Sequence, residues 1–592
     1  MARLWEIALR YRWRWLLGGL LLVVTASLAM TIPLLLRAAV DVMAASAPPE
    51  PGARGVGFYA SVIIAVALVQ GLSRSFSRFL IFNTGRDVEY DLRNDLFRHL
   101  ETLPPEFYKE RPTGDLMSRL INDIAAVRMM LGPGLLNVIN TPIYYIYALT
   151  IMLSIDPTLT LAALAPYPLA MIFIKGTTRR LMEGQIRVQE GLANITGAIQ
   201  EHVSGIHVVK AYAMEAREEA RFAKDNTAFR EASLDLARLR GMIAPVTRLV
   251  SGSGILIVLW LGGSRVAAGT LQLGDLVAFM GYLHLLAWPT MALGWMLSIV
   301  QRGRAGMMRL EEILDVHSPL ATPAVPHGPM PLQVGAGEIE FRGVGFAYPD
   351  APDEKILEGI DLRIPAGATV ALVGRSGSGK SSLLQLLPRL FDPDSGEVRI
   401  DGHDIRAYAL GDLRRAIAFV PQDPFLFSTS IATNIAFADP ELDEGSDNEV
   451  ASRIREAAEW AAVDGDVASF PDGYATMVGE RGITLSGGQK QRVTLARALL
   501  HDAPIIVLDD ALSSVDTHTE ERVLHALERR RVGRTCLIVA HRLSTVQGAD
   551  MIVLFDAGRI VASGRHQDLI RDSVLYGDLF RRQMLEDELE TQ

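Results

Sequence analysis

Apolar positions run unbroken for long stretches in the first half of this chain and come in short bursts between polar residues in the second. Trp15 to Leu36 holds 22 residues and no charge. At a helical rise of about 1.5 Å per residue that run is about 33 Å long, enough to cross a bilayer core. Similar uncharged runs cover Gly55 to Ser73, Met129 to Ile155, Pro157 to Ile174, Leu249 to Ser264 and Leu276 to Gln301. Six spans are therefore expected, the shorter ones extending past a flanking arginine. The first run is too long for a signal-peptide core and lacks a small-residue cleavage pattern after it, so it is expected to stay in the mature protein. Ahead of it, "MARLWEIALRYRWRW" mixes Arg with Trp, Tyr and Leu, as a helix lying in the membrane interface would.

The pattern changes after "RLEEILD", which ends at Asp315. The segment "VHSPLATPAVPHGPMPLQVGAG" carries five prolines among small residues, excludes a regular helix and reads as a linker over 316–337. Beyond Glu338, β-rich runs such as "TVALVG", "AIAFV", "IIVLD", "TCLIVAH" and "MIVLF" alternate with helical stretches, the mark of a mostly parallel sheet. The expected fold is an all-α six-helix transmembrane domain over 1–315 followed by an α/β domain over 338–592.

Composition adds little that contradicts this division. A charged fraction of 21% with a mean hydropathy of +0.21 suits a chain split between two solvents. The net charge of −10 gives no basic footprint, so nucleic acid is excluded as a partner. The single cysteine, Cys536, rules out an intramolecular disulfide and reads as a core thiol. Charge asymmetry sets the orientation: nine Lys/Arg lie between Arg74 and Arg128 and twelve between Lys175 and Arg248, against Arg37, Arg54 and Arg265 on the other side. A multi-pass protein of the cell membrane is expected, with both termini and the α/β domain cytoplasmic. The two internal segments are long and helical in pattern, so their helices should project into the cytosol. Arg74 and Arg248, near the inner ends of spans two and five, either snorkel or face a polar cavity that meets an anionic or amphiphilic substrate. Prolines 33, 142, 166, 168, 245 and 289 predict kinks in the spans.

"GRSGSGKS", Gly374 to Ser381, follows the strand "TVALV" and precedes the apolar helix "SLLQLL", the context that a phosphate-binding loop needs. Backbone N–H groups from Gly374, Arg375, Ser376, Gly377, Ser378 and Gly379 can turn toward phosphates, Lys380 reaches the β and γ oxygens, and Ser381 holds Mg²⁺, with Ser382 opening the helix. The chain is thus read as a P-loop ATPase with ATP and Mg²⁺ as its nucleotide and metal. Asp509, ending the strand "IIVL", supplies the metal-side carboxylate. "LSGGQKQR" sits just before the helix "VTLARALL"; a Ser-Gly-Gly turn there is either an anion site or a plain helix cap.

The Walker motif, "LSGGQ" and "HRLST", in this order and spacing, resemble the nucleotide-binding domain of ATP-binding cassette (ABC) proteins. With six spans ahead of it, essentially the whole chain resembles one half of an exporter of the multidrug and lipid-flippase type. The resemblance extends to "FYKERPTGDLMSRLINDI" and "IQEHVSGIHVVKAYAMEARE", similar to the family's coupling loops, and to "GTLQLGDLVAF" before span six. The sequence opens directly on the membrane half, so the peptidase domain of some peptide exporters is not expected. Carried over by position, the resemblance implies that Tyr348 in "FAYPD" stacks on adenine, that Gln422 in "FVPQDPFLF" contacts Mg²⁺, and that His541 in "VAHRLST" senses the γ-phosphate. It also implies that Asp516 belongs to the D-loop and that "VGERG", Val478 to Gly482, contacts the membrane half. Two cassettes would bind head to tail, so Ser486, Gly487, Gly488 and Gln489 would complete the partner's ATP site.

One position departs from the family. Asp510 stands where a catalytic glutamate is usual, and its carboxylate is one methylene shorter. A general base must come within about 2.6 to 3.2 Å of its proton. The preferred reading is the degenerate-site subunit of a heterodimer with a homologous half-transporter, moving an amphiphilic small molecule, lipid or peptide from the cytoplasm or the bilayer. A homodimeric exporter with slow ATPase, and an ATP-gated channel or regulatory membrane protein on the same scaffold, are the alternatives.

Overall fold

A computed structural model describes residues 2–44, 54–318, 320, 337–439, 448–479, 485–513, 515, 517–530, 533–540 and 546–590. They form two compact units, one of Met1–Glu101 with Thr113–Val316 and one of Thr102–Pro112 with His317–Gln592. Most of the expected linker 316–337 lies outside the described residues.

The first unit is helical throughout. Its principal helices are α1 (Ala2–Arg10), α2 (Arg12–Ala44), α3 (Val56–Leu100), α4 (Leu135–Ile155), α5 (Pro166–Ser204), α6 (Glu215–Ile257) and α7 (Leu273–Leu314). Four helical stretches, Arg12–Ala44, Val56–Leu100, Thr113–Ile155 and Leu273–Leu314, are long and apolar enough to cross a bilayer. The fourth expected span falls on the short helix Pro157–Leu164 and the start of α5, which meet at Ala165 ahead of Pro166 and Pro168. The fifth ends α6 and continues into a shorter apolar helix, Gly252–Ala267. Several side chains of these two runs lie outside the description, so the described residues support four spans by length and composition where six were expected.

Small and hydroxyl residues let α2 and α3 approach closely. A Cβ on Gly18 would come within 2.8 Å of Ile81. Ser77 Oγ donates to Gly18 O at 2.9 Å, and Thr25 Oγ1 to Ser73 Oγ at 3.1 Å. Such contacts hold helices together where lipid supplies no hydrophobic drive. Tyr282 of α7 donates to Met30 O of α2 at 2.9 Å, inside a cluster that includes Phe279, Met152 and Val258. Asp156, the lone residue between the third and fourth runs, caps the helix that follows: its carboxylate accepts from Thr158 N at 3.0 Å and Leu159 N at 2.9 Å. It also pairs with Arg265.

The second unit has two sheets. The antiparallel one has the order β2 (Lys355–Ile364), β1 (Ile339–Ala347), β4 (Ser395–Ile400), β5 (His403–Asp404). The other runs β10 (Arg559–Gly564), β9 (Met551–Asp556), β3 (Thr369–Gly374), β8 (Thr535–Val539), β7 (Ile505–Asp509), β6 (Ile417–Val420), parallel except at β10. Alternation along its strands sends Val370, Leu372 and Val507 into one core and Ala371, Ile506 and Leu508 into the other. Register pairs Leu372 with Val539 and Val539 with Asp509. The ends of β3 and β7 therefore open on the same edge, where ligands of parallel sheets sit.

Candidate functional site

The loop after β3 is shaped by glycine. Gly374 has φ +155°, and a Cβ there would fall on Phe555 O. Gly379 has φ +97°, and a Cβ would lie 2.7 Å from Leu357 and 2.9 Å from Ile356 O. Only glycine satisfies both demands, and the loop then enters the helix α8 (Lys380–Leu386). Lys380 is 5% exposed and curls back under the loop, donating to Gly374 O at 2.9 Å and Arg375 O at 3.0 Å. Burial pushes its pKa down, opposed by the carboxylates of Asp509 and Asp510. Ser381 Oγ donates to Asp509 Oδ1 at 2.8 Å. Ser376, Gln422 and Asp510 line a cavity of about 370 Å³ at this edge.

Asp510 follows the buried Asp509 with φ +49°, the left-handed region in which aspartate is one of few tolerated non-glycine residues. Ser513 Oγ donates to Asp510 O at 3.1 Å and accepts from Gln491 Nε2 at 3.1 Å. Gln491 lies on the helix α9 (Gly487–Leu500), so this helix is tied to the turn after β7. Sequence reading quoted Gln491 inside "LSGGQKQR" without giving it this link. It also missed Glu520, 1% exposed in the first turn of α10 (Thr517–Arg530) and lining the same cavity. An acidic residue in the first helical turn after the aspartates was the available signal.

Tyr348 packs edge-on against Phe346 and Phe391, at 5.0 and 5.3 Å between centroids, and its hydroxyl lies 3.0 Å from Ser382 Oγ. Lys109, from the short helix Pro105–Glu110 that belongs to this unit, stands 4.7 Å over the Tyr348 ring. In "LSGGQKQR", Ser486 and Gln489 form a reciprocal capping box: Ser486 Oγ accepts from Gln489 N at 3.2 Å and Gln489 Oε1 from Ser486 N at 3.0 Å. The cap is thus present, and Ser486 and Gly487 are exposed. Among the described residues, Ser486 to Gln489 do not join the cavity of Ser376, Gln422 and Asp510.

Two family models match the chain: the ABC transporter transmembrane region over residues 15–290 and the ABC transporter family over 357–513. The multidrug resistance-like ATP-binding protein MdlA of Escherichia coli is 36% identical over 98% of this chain and 95% of its own length. An ATP-dependent lipid A-core flippase of Syntrophus aciditrophicus is 35% identical over 89% of this chain and 86% of its own. A solved structure of a bacterial Atm1-family ABC exporter with ATP bound aligns with a TM-score of 0.76 at 30% identity, covering 96% of this chain and 99% of that one. The chain belongs to the ABC exporters. As in that family, a helical transmembrane domain precedes an ATP-hydrolysing α/β domain.

The remaining expected site residues of this exporter are spread unevenly. His541 and Asp516 lie outside the described residues, as do Glu480, Arg481 and Gly482 of "VGERG". In the membrane unit Arg74 lines a cavity of about 230 Å³ together with Arg78. Arg248, the expected second arginine, sits on α6 and is not among that cavity's lining residues. Positions four apart on one helix share a face, which is why Arg78 takes this place.

Proposed function

We propose that the chain is the slow-site half of a heterodimeric exporter that carries amphiphilic molecules, whether drugs, lipids or peptides, out of the cytoplasm or the inner leaflet. The observation that carries the reading is Asp510: a short carboxylate at the position of the family's glutamate, on a backbone with φ +49° that suits aspartate. The printed names of the relatives, a multidrug resistance-like protein and a lipid A-core flippase, support an amphiphilic substrate. The Lys/Arg-rich loops support a cytoplasmic ATPase domain.

In this reading ATP lies with its adenine at Tyr348 and its phosphates over the backbone of Gly374 to Gly379, and Lys380 exchanges its loop carbonyls for β and γ oxygens. The buried lysine, the glycine cradle and the paired Ser381 and Asp509 fit a magnesium nucleotide. Ser381, Gln422 and Asp509 would hold Mg²⁺, which when bound offsets phosphate charge. Ser382, in the first turn of α8, stands beneath the phosphates. Asp510 holds the proton-accepting position with a reach that is short by one methylene. Ser486, Gly487, Gly488 and Gln489 serve the partner's ATP, and Asp516 and His541 belong to the D-loop and the γ-phosphate switch. A second reading, a homodimer with working aspartates, draws on the fact that Asp510 shares its cavity with Gln422 and Ser376.

The two readings separate in the purified complex. Gly487→Asp, which sets a carboxylate against the partner site's γ-phosphate, should nearly abolish steady-state hydrolysis, whereas Asp510→Ala should leave most of it. A fall of about 10² to 10⁴ for Asp510→Ala, as for loss of a working base, would overturn the slow-site reading in favour of the homodimer. Uptake into inside-out vesicles against a gradient, dependent on hydrolysis, tests export against a gated channel, which only equilibrates its solute.

A further inference from the structure

We propose that the membrane unit binds the anionic headgroup of an amphiphile, a phosphate, sulfate or carboxylate, through Arg74 and Arg78. The inference rests on the exporter reading and names its substrate class. The cavity of about 230 Å³ is walled by α3 with the two arginines, by Asn137, Asn140 and Tyr144 of α4, and by Trp288 of α7. The apolar stretch of α3 from Val56 to Ser73 is about 27 Å long at the helical rise, so both arginines stand where the hydrocarbon gives way to the interface.

Three features point to an anion. First, two like charges at i and i+4 repel and weaken a helix, and a guanidinium near hydrocarbon is costly unless it meets water or a counter-charge. Neither arginine has an ion-pair partner among the described residues, and no acidic side chain is among the lining residues. Second, the neighbours add donors to the cavity: the Asn140 amide, the Tyr144 hydroxyl, and the amide hydrogen that Asn137 keeps beyond the one it donates to Pro133 O at 2.8 Å. Third, the Trp288 ring and Leu136 give the same cavity an apolar wall for a chain. Guanidinium forks bind phosphate and carboxylate oxygens in pairs, and the same two charges repel a cationic amphiphile of equal length. Lining of a cavity by both side chains sets this arrangement apart from arginines that snorkel along lipid.

A bilayer lipid and a separate amphiphile share this chemistry. The test is equilibrium binding of fluorescent dodecyl phosphate to the nucleotide-free complex in phosphatidylcholine nanodiscs. Competition is measured with inorganic phosphate, with dodecyltrimethylammonium, and with phosphatidylglycerol built into the disc. Dodecyl phosphate should bind at least about tenfold more weakly to the Arg74→Gln/Arg78→Gln protein, the loss expected for charge-assisted hydrogen bonds. Dodecyltrimethylammonium should bind that variant as well or better, and inorganic phosphate should compete poorly with the wild type. Displacement by phosphatidylglycerol assigns the site to a membrane lipid, and its failure to displace assigns it to a separate amphiphile. Equal binding of dodecyl phosphate before and after substitution, or equal loss of the ammonium compound, overturns the proposal. Arg78→Lys, which keeps charge and loses the fork, gives an intermediate affinity and stands in if the double variant does not fold. Vesicle uptake of a cationic dye reads the export function separately: failed uptake with this charge pattern intact counts against export alone, and the converse counts against the anion site alone.

Discussion

Lys380 holds an ammonium group in a nearly closed setting, where charge is expensive. Burial lowers its pKa below the ordinary lysine value of 10.5. Between the lowered value and 10.5 the unfolded chain keeps a proton that the folded chain has released, so the stability of the nucleotide-free protein rises with pH through that window. Lys380→Met should remove this rise, seen as a flatter melting temperature across an alkaline series, while ATP photolabelling of the chain falls. A rise that persists in the variant assigns it to other groups. Tyr348→Ala should weaken ATP binding by about 0.5 to 1.5 kcal/mol if the ring stacks as other aromatic pairs do, measured by titration of the nucleotide. Residues of this kind were legible because their spacing is local: loop, lysine and hydroxyl lie within Gly374 to Ser382. Arg78 was not, because its claim to a cavity comes from side chains on α4 and α7 that no spacing along the chain links to it.

At the scale of single elements, glycine placement separates packing from mere composition. Gly18 and Gly19 are neighbours in α2, yet a Cβ on Gly18 would press on Ile81 while one on Gly19 meets nothing within 4 Å. Gly18→Val should lower the melting temperature in detergent and Gly19→Val should leave it nearly unchanged; equal effects would show that helix propensity, not the α2 to α3 contact, governs both. Ser486 caps α9 by its own side chain, so Ser486→Ala should cost about 0.5 to 2 kcal/mol of stability. Denaturant unfolding of the nucleotide-free protein measures it, and an unchanged midpoint would mean that Gln489 carries the cap alone. Element types followed well from pattern, since strands buried on both faces read as continuous apolar runs. The fourth and fifth uncharged runs are carried differently from the other four: the fourth is divided between two helices at Ala165, ahead of Pro166 and Pro168, and the fifth continues from α6 into the shorter apolar helix Gly252–Ala267.

For the whole molecule, Val316 ends one compact unit and His317 resumes the other. The ATPase unit also includes Thr102–Pro112. Phe107–Pro112 open the segment that resembles a coupling loop of the family, and their packing agrees: Phe107 is buried, Arg111 covers its ring at 4.5 Å, and Lys109 stands over Tyr348. This has a practical side for anyone who cuts the chain in two. A fragment starting at His317 would have Tyr348 stripped of a lysine that the intact chain supplies from more than two hundred positions upstream. Nucleotide affinities taken from such a fragment would describe a different binding surface, and fusing or adding the peptide 102–112 is the repair that would bring the two measurements together.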